Sequence, residues 1–168
     1  MTNKLLAFLL LSVALTVVFA SCKFNKNVQG SGVDFLQGEW IQDSIPYKEQ
    51  LLEYTRHKFV FTCDSFYVQF ETHAKVNHYQ DSCFSNGSWI EYAKGTYLQR
   101  NDTIYLDGTF TKANYKQKIS GCHRIGRYLP VWIVKKRTGN SLELKDLNQH
   151  APLFLTLRKR ITCIPKPL

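Results

Sequence analysis

The sequence predicts an all-β domain, an antiparallel up-and-down barrel of about eight to ten strands with one short helix or lid after the first strand. Three observations carry this reading. Apolar and polar residues alternate over short runs, the two-residue period of a half-buried strand. Aromatic residues make up 14% of the chain and fall into that alternation, which suits a pleated surface. Turn residues interrupt the runs at short, regular intervals, as in a closed barrel or a sandwich.

Taken in order, residues 36–43 form the first strand. Residues 45–54 carry Pro46 and then Glu49, Leu51, Leu52 and Tyr54, a short helix or lid crossing an open end. Residues 57–63 and 66–72 form a hairpin around Asp64-Ser65. Phe59 and Phe61 on one arm, with Phe66, Val68 and Phe70 on the other, share a face opposite Tyr67, Gln69 and Glu71. Residues 73–88 are polar and turn-rich, Asn86-Gly87 being their strongest turn signal. A short strand at 89–92 follows, and then strands at 95–100 and 103–108 flank Asn101-Asp102, a two-residue hairpin signature. Residues 109–119 continue as a strand with basic residues, and 121–128 form a loop carrying Cys122. Strands at 131–137, 142–147 and 153–161 finish the domain, with Thr138-Gly139-Asn140 and the Pro152 region as breaks.

The N-terminus reads as an export signal. Lys4 gives a positive start, residues 5–18 are almost unbrokenly apolar, and Phe19-Ala20-Ser21-Cys22 closes the run with small residues before a cysteine. The run is shorter than the roughly 20 apolar residues that span a bilayer. The pattern resembles the bacterial lipobox, which implies acylation of Cys22 (palmitate or a similar chain) and an outer-membrane lipoprotein. Ordinary secretion, with cleavage near Ala20 or Ser21, is the alternative. Lys23-Phe24-Asn25-Lys26 lacks the acidic residues that resemble surface-export signals of Bacteroidota lipoproteins, so a periplasm-facing position is expected. The organisation is then a signal peptide at 1–21, a lipidated cysteine and flexible tether at 22–33, a single β-barrel domain at 34–164 and a tail at 165–168. Removing 21 of 168 residues leaves 147, enough for one domain with a real core.

With Cys22 assigned to lipid, Cys63, Cys83, Cys122 and Cys163 remain. An even set in an oxidising compartment suggests two disulfides. Three pairings are possible, and Cys63 with Cys83 plus Cys122 with Cys163 is preferred, the first closing a local excursion and the second pinning the C-terminal segment. A metal site using His73, His78 or His123 is the competing reading. No C-x-x-C occurs, and His73 and His78 are five apart, which suits one face of neither a helix nor a strand. No metal or cofactor is therefore expected. The formal charge of +9 becomes +8 once Lys4 is removed. Export excludes nucleic acid as a partner and leaves anionic headgroups or acidic glycans, or simply solvated outer strand faces.

Gly38-Glu39-Trp40 in the first strand and Arg158-Lys159-Arg160 in the last resemble the lipocalin-like, calycin-type pattern, here that of small lipoproteins of Bacteroidota. The resemblance implies that Gly38 bends the backbone where the barrel closes and that Trp40 plugs its bottom. It also implies a late basic residue, first Arg158 and then Arg160, stacked on the indole with about 0.5–2 kcal/mol of cation–π attraction. Asp43-Ser44-Ile45 and Asp102-Thr103-Ile104 match the O-glycosylation pattern of that group, although turn chemistry also accounts for the second.

Two functions follow. One is a lipid-anchored envelope barrel holding a small apolar or amphipathic ligand, with Phe59, Phe61, Phe66, Phe70, Leu106 and Trp132 as inward candidates. The other is a non-catalytic structural or interaction lipoprotein with a packed barrel. A hydrolase or hydratase ranks behind both. No G-x-S-x-G, H-E-x-x-H or phosphate loop occurs, and no spacing ties together Glu53, Glu71, Glu91, His73, His78, His123 and His150. A continuous cavity above about 300 Å³ with convergent polar groups discriminates in favour of ligand binding.

Overall fold

Among the described residues, alternation along the chain resolves into nine strands, eight of which close a ring. The computed structural model describes residues 29–147 and 151–167. The signal sequence, Cys22 and the tether up to residue 28 lie outside the described residues, as does His150. The folded unit is Gly30–Pro165; outside it, the Gln29 amide donates to the Lys166 carbonyl (2.9 Å). The strands are β1 (Gly38–Ser44), β2 (Glu53–Thr62), β3 (Ser65–Ala74), β4 (Ser88–Arg100), β5 (Thr103–Thr111), β6 (Arg127–Tyr128), β7 (Val131–Arg137), β8 (Ser141–Asp146) and β9 (Pro152–Arg160). β1 to β5 pair antiparallel in sequence order, as do β7 to β9, and β1 pairs with β9 to complete the circle. The short β6 and β7 share one edge of β5, through Gly108↔Tyr128 and Thr103↔Ile133, and act as one interrupted strand. The up-and-down barrel expected from the sequence is what forms.

Two expectations about its connections change. The link from β1 to β2 holds only a 3-10 turn at Lys48–Gln50, too short for a helical lid. The short helix, α1 (Asp81–Phe84), sits instead in the longer polar link from β3 to β4. The strand expected over 109–119 stops at Thr111. There Lys112 accepts from the Tyr115 amide, Tyr115 takes a left-handed φ of 58°, and the Asn114 side chain caps Lys116.

Topology gives the barrel two unlike ends. Gly38, Arg160 and the turns at Cys63-Asp64, Asn101-Asp102 and 138–140 gather at one end, called here the sealed end. The links at 45–52, 75–87 and 112–126, with the β8 and β9 ends at Asp146 and Pro152, gather at the other, the open end. Inward side chains fill the sealed end and the middle: Trp40, Phe59, Phe61, Phe66, Phe70 and Ile104 are essentially fully buried. The Trp40 indole donates to the Leu36 carbonyl (2.7 Å). Below it, Gln37 closes the floor. Its Oε1 accepts from the Cys63 amide (2.7 Å), and its Nε2 donates to the Cys63 carbonyl and the Tyr97 hydroxyl, both at 2.9 Å. Tyr97 in turn donates to the Cys63 carbonyl (2.7 Å) and accepts from the Val33 amide (3.0 Å).

Residues 30–33, the end of the segment read as a tether, belong to this plug. Gly32 has φ 69°, and a Cβ there would stand 1.7 Å from the Cys63 carbonyl oxygen, so the glycine serves close approach rather than flexibility. Gly38 also has a positive φ, and a Cβ would meet the Lys159 carbonyl at 2.6 Å, beside a bulge between Glu39 and Trp40.

The disulfides are Cys63–Cys163 and Cys83–Cys122, with Cα atoms 4.8 and 5.4 Å apart. The expected partners are exchanged. Cys63 lies at the sealed end and Cys83 beyond the far end of β3. A ten-residue strand spans roughly 33 Å, whereas a bridge needs Cα atoms within about 7 Å. Each bridge therefore staples one end. The basic residue over Trp40 is also exchanged: Arg160 stands 5.8 Å from the ring, bonded to the Phe35 and Gly139 carbonyls. Arg158 points outward and pairs with Asp43 (3.2 Å), because the bulge shifts β9 so that Gly38 faces Arg160 and Trp40 faces Leu157.

Candidate functional site

The inward face turns polar toward the open end. Gln42 follows Trp40 by one period on β1, Thr55 and His57 precede Phe59 on β2, Thr72 follows Phe70 on β3, and Glu91 lies among Trp89 and Ala93 on β4. These positions are buried or half-buried. Because β1 and β3 run toward this end while β2 and β4 start from it, their polar positions converge on the mouth.

The link between β5 and β6 folds into the mouth and supplies Arg124. Its guanidinium lies over Phe70 (4.5 Å) and Phe110 (5.3 Å). Nε and Nη2 donate to Glu91 Oε2 at 2.9 and 2.7 Å, and the Arg124 amide donates to Glu91 Oε1 (2.8 Å). Glu91 is 5% exposed and Arg124 41%, so the buried carboxylate is neutralised by a cation that keeps one side open. Cys122, two residues earlier, ties this link to Cys83. His123 stacks on Trp89 (centroids 4.2 Å apart, 3° between planes) with Tyr79 edge-on (4.8 Å), and burial lowers its basicity.

Arg124, Glu53 and Thr55 divide two cavities. The larger, about 540 Å³, has apolar walls from Ile45, Pro46, Tyr47, Leu51, Tyr54 and Leu153, and polar groups from Gln42, His57 and Arg124. The smaller, about 330 Å³, lies toward Thr72, Tyr79, Trp89 and His123. A shallower cleft of about 590 Å³ runs outside the barrel past Tyr67, Lys94, Asp107 and Arg127, and its lining is mostly polar residues and glycine.

His57 has a fixed tautomer. Gln42 Oε1 accepts from the His57 amide (3.1 Å), which identifies that atom as the oxygen, so the Nδ1 at 2.9 Å from it must donate. In the neutral ring Nε2 then carries the lone pair, and His57 is part of the larger cavity's lining. Burial, then the Arg124 cation, lowers the imidazole from 6.5 to about 4, so it is neutral at neutral pH.

Phe59, Phe61, Phe66, Phe70, Leu106 and Trp132 lie in the packed core, and none lines the mouth cavity. Phe70 reaches the site only as the surface under Arg124 and beside His57. Of the acid–base candidates, Glu53 and Glu91 are at the mouth with His123. His73 pairs with Glu71 (3.0 Å) outside the barrel. Among the described residues, no group of three or more His, Cys, Asp or Glu side chains could hold a metal ion. His57, Gln42 and Arg124 were not singled out by motif, yet the first two sit in register with Phe59 and Trp40, which is a readable signal. No protein-family model matches this chain, and neither a curated protein nor a solved structure is significantly similar to it.

Proposed function

We propose that this protein is a lipocalin-like, lipid-anchored barrel of the cell envelope, facing the periplasm from the outer membrane, that holds a small amphipathic ligand in its open mouth. The observation that carries the binding reading is the 540 Å³ cavity, apolar on its walls and with a few polar groups at its inner side. That is the common build of a small-molecule site, with apolar contact for affinity and a few polar groups for orientation. The packed floor leaves the mouth as the place for a ligand. Export is supported by the lipobox-like ending at Cys22 and by two disulfides, which persist in oxidising compartments.

Titration of the full-length protein with 1-aminoanthracene tests the site. Saturable blue-shifted emission is expected, weakened at least tenfold by Leu51→Trp, which fills the mouth without touching the floor. Absence of saturable binding, or binding indifferent to Leu51→Trp, points instead to a packed structural or interaction lipoprotein. Metabolic labelling with an alkynyl fatty acid tests the anchor, and label surviving Cys22→Ser overturns it.

A further inference from the structure

Resting on that reading, we infer that the mouth selects an amphipath with an uncharged head that both donates and accepts hydrogen bonds, a carboxamide or a hydroxyl, over a carboxylate or an ammonium. The two polar groups that face the cavity from its inner side are complementary to such a head. His57 offers only the Nε2 lone pair, since its Nδ1 proton is committed to Gln42, and so requires a donor. Arg124 has Nε and Nη2 on Glu91, which leaves the Nη1 hydrogens for an acceptor. Both groups lie against Phe70, the guanidinium at 4.5 Å and the imidazole edge-on at 5.3 Å, so they stand beside one another over a common floor.

Charge decides against the ionic heads. Arg124 is already balanced by Glu91, and Glu53 adds a second carboxylate at the rim of the same cavity. A bound carboxylate would gain little from a neutralised arginine, would meet repulsion from Glu53 and Glu91, and has no hydrogen for His57. An ammonium could donate to His57 and gains attraction from Glu53, but it would stand beside the Arg124 guanidinium and leave the Nη1 hydrogens without an acceptor. A head with one donor and one acceptor satisfies both groups and leaves none stranded, where a stranded buried polar group costs about tenfold or more in affinity. Imidazole neutrality, which burial maintains well below pH 7, keeps the lone pair available. The alkyl body lies against Pro46, Leu51, Tyr54 and Leu153.

Calorimetric titration with decanamide, decanoate and decylamine at pH 7.5 tests the assignment. Decanamide is expected to bind about tenfold tighter than either decanoate or decylamine, the preference being about that of one well-made hydrogen bond. In His57→Leu, with folding checked by near-UV circular dichroism, the preference for decanamide over decanoate should fall to within about threefold. Decanoate binding as tightly as decanamide, or a preference that survives His57→Leu, overturns the head-group assignment and leaves the cavity standing. Failure of all three probes to bind overturns the binding reading itself.

Discussion

The two ends of this barrel use buried polar groups in opposite ways. At the sealed end, Gln37 and Tyr97 are spent on backbone groups of Cys63 and Val33, and the amide and hydroxyl have little left to offer. At the open end, Gln42 pairs with His57 and Glu91 with Arg124, side chain to side chain, at the edge of a cavity that Gln42, His57 and Arg124 line. Both ends carry an aromatic floor, a basic residue over it and a disulfide. A polar network closed on the backbone makes a plug, whereas side chains paired with one another beside a cavity line it with polar groups.

Each element of this contrast can be broken separately. Replacing Cys63 and Cys163 by serine removes a link across 100 residues, and replacing Cys83 and Cys122 removes one across 39. Chain-entropy estimates give about 5 and about 4 kcal/mol. Urea unfolding should show similar stability losses, but only the second pair should loosen the link carrying Arg124 and lower 1-aminoanthracene affinity. Equal loss of binding in both would erase the functional difference between the ends. Next in size, Arg124→Met leaves Glu91 buried without its cation and should cost about 3–5 kcal/mol at neutral pH. Adding Glu91→Gln should restore most of that stability, without restoring the head-group preference. A double variant as unstable as the single one would show that the pair acts through packing alone.

The smallest effect is on pH dependence. His57 is held at about 4 in the folded state against 6.5 unfolded. As pH falls from about 6.5 to about 4, the unfolded chain takes up a proton that the folded barrel refuses, so stability declines across that window and this contribution levels off below it. The decline is about 2 kcal/mol after allowance for a partly solvated cavity. His57→Phe should flatten the stability profile over that range relative to the parent, and matching slopes would place the imidazole in ordinary solvent.

What was legible in the sequence tracks how local each determinant is. The hairpin at Asn101-Asp102 is written into adjacent residues and forms as read, and the one read around Asp64-Ser65 forms with its turn one residue earlier, at Cys63-Asp64. Trp40 as the plug follows from its place in β1, but the choice between Arg158 and Arg160 turns on a single bulge that alternation does not report. The disulfide pairing depends on which end of β3 each cysteine occupies, and spacing along the chain carries no such information. His57 could have been found, because it shares the inward face of Phe59 and Phe61. Arg124 could not: it comes from a link without periodicity and is placed by Glu91, 33 residues away, and by the Cys83–Cys122 bridge.

Gly30 and Pro165 both sit against the sealed floor, the first bonded to the Asp64 carboxylate and the second beside Arg160 and Ile161. Both residues that bound the barrel thus lie at its sealed end. Anything attached there, whether an acyl chain, a purification handle or a sensor surface, leaves the mouth unobstructed. A row of these barrels tethered at Gly30 or Pro165 would present a field of open cups, all accessible to solute from the same side.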